Sequence, residues 1–300
     1  MNPILKGYLR LTRPANLPTA AADIMAGTAI AGIFPLIYSP SFWSSGMVLD
    51  LLYLILSSVC LYAAGVVLND VFDVGIDRVE RPERPIPSGL ISVKAASVFG
   101  SFLLLLGIIS AFFVNSLCGG IAMILALSIV LYDSFSKKHT LLGPLNMGIC
   151  RALNLLLGMA IVGGLGQWWY VFIPLIYIFA ITLISRGEVH GNNKKHIIFA
   201  GILYAIVILT VITLLFFNSS NMLNVIPFLT FFAILVYRPL YRAYNTNSPE
   251  NIKRAVIAGV LSLIVLDASI AVGFSHFSIG LLIVLLLPLS ILLSKLFAVT

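Results

Sequence analysis

Ten apolar stretches, most of them near 20 residues long, dominate this sequence: 17–38, 48–68, 95–114, 117–132, 145–164, 169–184, 197–217, 225–237, 255–274 and 279–297. A helix that crosses the hydrocarbon core of a bilayer needs about 20 mostly apolar residues. There every backbone N–H and C=O must find its partner inside the protein, which helices achieve within one segment. The expectation is an all-α membrane protein, a polytopic helical bundle of nine or ten transmembrane helices, with residues 1–300 forming a single domain. The eighth stretch is short and leaves the count open. Only 10% of the residues are charged, against roughly 25% in soluble domains, so the apolar surplus must face lipid. Residues 1–14 are polar and basic, with no small-residue cleavage site behind an apolar core. Insertion is therefore expected through the first membrane helix.

The placement of the 18 Lys and Arg residues orients the bundle. Lys6, Arg10 and Arg13 precede the first stretch; Arg78, Arg81, Arg84 and Lys94 follow the second; Lys137 and Lys138 follow the fourth. Arg186, Lys194 and Lys195 follow the sixth, and Arg238, Arg242, Lys253 and Arg254 follow the eighth. The intervening loops carry none. Basic loops stay on the cytoplasmic side, so the reading is a multi-pass protein of the cell (inner) membrane with a cytoplasmic N-terminus. The net charge of +7 then reflects topology rather than a nucleic-acid surface. Cys60, Cys118 and Cys150 lie in or beside apolar stretches without metal-ligand spacing and read as small packing residues.

The longest polar loop, 69–94, holds Asp70, Asp73, Asp77, Glu80 and Glu83, five of the eleven carboxylates. If the preceding helix continues through it, Asp70, Asp73 and Asp77 fall at i, i+3 and i+7 on one stripe. Three like charges so placed repel one another unless a cation neutralises them. Oxygen ligands without His or Cys select Mg²⁺ over zinc, and Asn69 can add a neutral oxygen. Behind them runs Arg81-Pro82-Glu83-Arg84-Pro85-Ile86-Pro87-Ser88-Gly89. Three prolines in six residues exclude a helix and predict a stiff extended turn. A guanidinium held there, Arg84 above all, suits a phosphate.

Asn69-Asp-x-x-Asp73-x-x-x-Asp77 followed by Arg81-Pro-x-Arg84-Pro-Ile-Pro-Ser88-Gly89 resembles the first Asp-rich motif of the UbiA superfamily of intramembrane prenyltransferases. Thr12-Arg13-Pro14-Ala15-Asn16 is similar to the family's entry to its first helix, and Tyr132 with Lys137 and Lys138 to the region after its fourth. The resemblance implies a prenyltransferase of the alkyl-transfer class (EC 2.5.1 type), using Mg²⁺ to move an isoprenoid from a polyprenyl diphosphate to an aromatic or lipid acceptor. It further implies Asp70, Asp73 and Asp77, with Asn69, as magnesium ligands. Arg13, Asn16, Arg84 and Lys137, with Asn69, would contact the diphosphate. The site would face the cytoplasm at the surface of the lipid bilayer.

The family's second Asp-rich motif is altered. Its place reads Ser185-Arg186-Gly187-Glu188-Val189-His190-Gly191, so Arg186 and His190 stand where Asp is expected and Glu188 is the remaining carboxylate. This implies Glu188 and His190 as catalytic groups and Arg186 as a diphosphate contact, and the string is similar to that of the EboC-type branch. The departure keeps open an isoprenoid-binding or transport component without turnover; an ordinary secondary transporter is a further alternative. Arg151, a charge inside a membrane stretch, is expected to be functional, reaching the diphosphate or pairing with Asp133. Asp23 and Asp267 read as helix-to-helix hydrogen-bonding groups, Asp23 also as cavity wall. Tyr62, Phe72, Tyr132 and Phe135 are candidate walls for the prenyl tail.

Overall fold

The computed structural model describes residues 2–35, 46–187, 194–218 and 221–297, and regular structure among them is helical. The first helix, α1 (Pro3–Leu11), lies in the segment that the sequence left as a polar lead-in. Asn2 caps it by accepting from the Ile4 N–H at 2.9 Å, and Pro3 occupies the first turn, where its missing N–H costs nothing. Gly7 and Leu11 are buried while Ile4, Leu5 and Lys6 are exposed, the character of a helix lying on a membrane surface.

A short turn over Pro14–Asn16 leads into α2 (Leu17–Ile30). Then come α3 (Met47–Phe72), α4 (Val74–Glu80), α5 (Val93–Phe112), α6 (Ser116–Ser134), α7 (Leu142–Met159), α8 (Phe172–Ser185) and α9 (Lys194–Asn218). The chain closes with α10 (Met222–Asn245), α11 (Pro249–Phe274), α12 (Phe277–Val284) and α13 (Leu286–Leu296). Polar caps mark several starts: Ser92 accepts from Ala95, Asn115 from Cys118 and Ser248 from Asn251. Among the described residues nine helical spans are long and apolar enough to cross a membrane, and the chain is a multi-pass membrane protein. The doubtful eighth stretch proves to be a full helix of 24 residues. The last stretch, expected to be continuous, divides at Leu285 into α12 and α13.

The centre of the bundle is α2, buried at every position from Pro18 to Ile30. It packs against α3, α7 and α11, and α13 returns to touch both α2 and the turn before it. A helix apolar all round belongs inside, and the alanines at 20, 21, 22, 26 and 29 let its neighbours approach closely. The tightest crossing is with α7: a Cβ on Gly158 would lie 2.6 Å from the Ile24 carbonyl oxygen, closer than any side chain permits. The outer helices α5, α6 and α9 leave Leu105, Leu127 and Leu209 more than half exposed, as lipid contact requires.

Two features aim the polar residues. Helix α3, 26 residues and so about 39 Å long, outruns a hydrocarbon core of about 30 Å and carries its acidic end to the boundary. The loop after α4 is pinned by Ile86 and Ile91, which join Leu11, Val67 and Ala96 in a small buried cluster. That loop is a series of tight turns rather than the extended segment expected: Arg84 N–H donates to Arg81 O at 3.1 Å, Ser88 N–H to Arg84 O at 3.0 Å and Ile91 N–H to Pro85 O at 3.0 Å. Proline fixes φ near the value that turns need, and Gly89 closes the segment at φ 79°.

Candidate functional site

The three aspartates do not sit on one unbroken helix. Helix α3 stops at Phe72, Asp73 occupies the joint at φ −92°, ψ 5°, and α4 starts afresh. The helical hydrogen bonds survive the joint, Asp73 N–H to Asn69 O and Asp77 N–H to Asp73 O, both 2.9 Å. Asp70 and Asp77 are therefore turned into the protein and buried, while Asp73 is a quarter exposed.

Fixed cations gather on this trio. Arg84 Nη1 lies 3.1 Å from Asp70 Oδ1 and 2.6 Å from Asp77 Oδ2. Arg13 Nη2 donates to Asp70 Oδ1 at 2.7 Å, Arg81 Nη1 stands 3.9 Å from Asp77 Oδ1, and Lys137 Nζ lies 2.6 Å from Asp73 Oδ1. The expectation that only a bound cation could relieve the repulsion is thus corrected. Four basic side chains do so: the proline-rich loop brings Arg81 and Arg84, the entry to α2 brings Arg13, and the turn after α6 brings Lys137. Arg13 reaches Asp70 from a left-handed backbone, φ 47°, the one positive φ outside glycine among the described residues. Such a conformation costs about 1–3 kcal/mol and persists where its surroundings fix it.

A second set comes from the end of α6 and the turn beyond it. Asp133 accepts from Asn69 Nδ2 at 2.7 Å and lies 3.8 Å from Lys137 Nζ. Asn146 Nδ2 donates to Ser136 Oγ at 3.0 Å, tying α7 to that turn. Arg186 Nη2 donates to the His139 carbonyl at 2.5 Å, so it braces the loop that presents Lys137. Asn16 sits in the turn beside Arg13, its carbonyl accepting from Thr19 Oγ1 at 2.7 Å. Glu188 and His190 fall outside the described residues.

Inward of these groups a cavity of about 260 Å³ opens between α3, α6 and α7. Arg13, Asn69 and Asp133 line its mouth; Leu61, Tyr62, Leu125, Ile129 and Tyr132 wall it; Ser58, Arg151 and Asn154 line its inner end. Tyr62 and Tyr132 thus stand where wall residues were expected. Phe72 and Phe135 are about half exposed outside it, Phe72 under Lys137 Nζ at 5.8 Å and Phe135 against the His139 ring at 4.6 Å.

Arg151 does not pair with Asp133 as expected. Its Nε lies 2.6 Å from Asp23 Oδ2 and its Nη2 donates to the Thr19 carbonyl at 2.6 Å. Asn154 donates to the same Asp23 oxygen at 2.7 Å and accepts from Ser58 Oγ at 2.7 Å. Asp267 of α11, likewise buried, stands beside Asp23 on the other side. The reason is positional: the buried crossing of α2 on α7 sets Asp23 beside Arg151, whereas Asp133 is held at the mouth by Asn69. Ser58 is the member of this group that sequence inspection passed over, a lone serine in an apolar run.

The donor set suits Mg²⁺. Asp70 and Asp77 converge on a single cationic nitrogen, so the fold already brings two hard oxygen ligands to one point of positive charge. Mg²⁺ needs only one or two carboxylates, its remaining sites going to water and phosphate oxygen. Among the described residues no group of three or more acidic, His or Cys side chains is clustered to hold a metal by itself.

Comparison with known proteins agrees with this geometry. Residues 25–260 match the UbiA prenyltransferase family. The digeranylgeranylglyceryl phosphate synthase of Methanococcoides burtonii is 37% identical over 162 residues, 54% of this chain and 57% of that protein. The synthase of the same description from Sulfolobus acidocaldarius is 30% identical over 253 residues, 78% of this chain and 86% of the relative. The match to the first of these spans less than two thirds of the relative's length. In fold the chain is similar to a UbiA homolog from Archaeoglobus fulgidus bound to GPP and Mg²⁺, with a TM-score of 0.65, 15% identity, and coverage of 88% of this chain and 99% of that one.

Proposed function

The chain belongs to the UbiA prenyltransferase family, and from that premise we propose that it is a membrane prenyltransferase moving an isoprenoid from a polyprenyl diphosphate to a hydroxyl-bearing acceptor. The supporting observation is the gathering of Arg13, Arg84 and Lys137 with Asp70, Asp73 and Asp77 at the mouth of an apolar cavity. In this reading the whole chain acts as one UbiA-like domain, with the basic end of the bundle cytoplasmic. A lipid acceptor is favoured over an aromatic one, because the named relatives make a glyceryl phosphate lipid. Within the family we read the string from Ser185 to Gly191 as that of the EboC-type branch.

Asn69, Asp70, Asp73 and Asp77 would hold Mg²⁺, whose contribution when bound is to neutralise the diphosphate, as the GPP-bound homolog supports. Arg13, Arg84 and Lys137 meet the same oxygens. Charge accumulates there as the bond between the allylic carbon and the diphosphate oxygen breaks and the diphosphate departs with the electron pair. Groups fixed where charge develops lower the barrier rather than merely bind. The acceptor oxygen then bonds to the allylic carbon, and its proton passes to the departing diphosphate. Leu61, Tyr62, Leu125 and Ile129 keep water from the carbocation meanwhile. Arg186, holding the His139 carbonyl, keeps Lys137 in place rather than touching substrate.

The test is pyrophosphate release by the purified protein from geranylgeranyl diphosphate. We expect release that requires Mg²⁺ and stops with a chelator; none under any acceptor, with no binding of the diphosphate, would overturn the reading. One observation favours a second reading, an isoprenoid-binding or transport component: Arg186 stands where the second motif has a carboxylate. Tight binding of geranylgeranyl diphosphate without pyrophosphate release would select it.

A further inference from the structure

The inner end of the cavity is polar, and a prenyl tail has no use for it. Ser58 and Asn69 both line the cavity from α3, and their separation of eleven positions corresponds to about 16 Å along the helix. Between them the walls are apolar. At the inner end stand Ser58, Arg151 and Asn154, with Asp23 behind them.

These groups have been taken out of water. The Arg151 side chain is 7% exposed and Asp23 is fully buried. Burial of a charge pair is tolerated where geometry and hydrogen bonds compensate: here Nε is ion-paired with Asp23 Oδ2 at 2.6 Å, Asn154 donates to that same oxygen at 2.7 Å, and Nη2 donates to Thr19 O at 2.6 Å. One amino group remains. Arg151 Nη1 donates to no group among the described residues, although the side chain lines the cavity. Ligand sites are mostly apolar clefts with a few convergent polar groups that fix orientation, and a donor left over in such a place fits that description.

The charge balance decides what it takes. Asp23 already offsets the Arg151 cation at contact distance, and a second carboxyl, Asp267, lies against Asp23. The inner end therefore carries no surplus positive charge to offer a phosphate. What it offers is hydrogen bonds: two N–H of Nη1 as donors, and the Ser58 oxygen as an acceptor, its one proton being taken by Asn154 Oδ1 and the Ala20 carbonyl at 2.7 and 3.0 Å. The volume limits the occupant too. A space of about 260 Å³ falls just below the roughly 300–1,000 Å³ of ordinary small-molecule clefts, which suits a compact head group.

Building on the prenyltransferase reading, we propose that Arg151 and Ser58 form an acceptor subsite, holding an uncharged oxygen of the lipid acceptor's compact head group, which lies in the cavity with its reacting hydroxyl toward the Asp-rich mouth. The isoprenoid then leaves the mouth sideways into lipid. Arg151 is in this view a specificity-determining residue and no part of the diphosphate cradle.

The experiment uses the full chain in lipid nanodiscs. Arg151→Lys keeps a cation for Asp23 and loses the guanidinium fork; Ser58→Ala removes the hydroxyl; the double variant Arg151→Gln with Asp23→Asn removes both charges together, and each is checked by thermal unfolding. Two readouts are taken. The first is the affinity for geranylgeranyl diphosphate with Mg²⁺, and the KM and kcat for glycerol, resorcinol and glycerol 1-phosphate as acceptor probes. The second needs no turnover: Cys150 lines the same cavity, so a bound acceptor shields it from N-ethylmaleimide. Losing a hydrogen bond from a charged donor corresponds to about tenfold or more in affinity. We expect that rise in KM for a neutral probe in Arg151→Lys, a smaller rise in Ser58→Ala, and diphosphate affinity within about twofold of the parent. Shielding of Cys150 by glycerol or resorcinol should disappear in Arg151→Lys and in the double variant. The subsite is overturned if Arg151→Lys weakens the diphosphate instead, if neither KM nor shielding responds, or if glycerol 1-phosphate is the probe whose binding Arg151 governs. Shielding that depends on Arg151 in a protein that releases no pyrophosphate would retain the subsite and remove the transferase reading.

Discussion

Arg84 carries two carboxylates on one nitrogen, with its side chain 10% exposed and theirs 6% and 3%. Its removal leaves both of those charges short of a partner in a poorly solvated place, a loss of about 3–5 kcal/mol for a buried pair. Arg84→Met should therefore lower the unfolding temperature markedly, read by thermal unfolding in detergent, while Arg84→Lys loses less stability and more diphosphate affinity, since lysine cannot grip two oxygens at fixed angles. Asp73 behaves differently because it is a quarter exposed and, among the described residues, is ion-paired with Lys137 alone. Asp73→Ala should leave folding intact and cut Mg²⁺-dependent pyrophosphate release by about 100-fold or more; an unchanged release rate would remove Asp73 from the chemistry.

Helices α2 and α7 set the cavity's inner end, and they do so by touching through glycine. A side chain at Gly27 or Gly158 would collide with the backbone of the other helix. Gly158→Leu should push the two apart, costing about 1–3 kcal/mol as overpacking generally does, and loosen the Asp23–Arg151 pair that spans them. Gly166 lies in open space, so Gly166→Leu serves as the control whose unfolding temperature stays near that of the parent. The proline-rich loop acts at the same scale. Replacing Pro82, Pro85 and Pro87 together by alanine should raise the KM for the prenyl diphosphate without abolishing turnover, because the loop positions Arg84 and its freedom rises without the fixed φ values.

For the molecule as a whole, the distribution of charge makes one statement about the bilayer. The basic loops share one end of the bundle with the Asp-rich site, and positive loops remain cytoplasmic. Ser88 and Gly166 are both exposed and lie at opposite ends of the spans. In a background with Cys150 replaced, Ser88→Cys should react with an impermeant maleimide in inverted vesicles and Gly166→Cys in intact cells; the reverse pattern would turn the protein over in the membrane.

The run of apolar segments dictated a helical membrane bundle, since hydrocarbon leaves the backbone few other options. The spacing of Asp70, Asp73, Asp77 and Arg84 marked the mouth of the site, because those residues are close in sequence and any local fold keeps them together. The kink at Asp73, the folded turns around Arg84 and the surface helix α1 escaped that reading, each depending on packing against Leu11, Val67 and Ala96 as well as on local preference. The partner of Arg151 lay further out of reach. Asp23 is 128 positions away, and Thr19 and Ser58 are as remote in the chain as they are close in space. Chain order states which charges exist and which loop they leave from; only the crossing of α2 on α7, two helices meeting where neither carries a side chain to keep them apart, decides which of those charges meet.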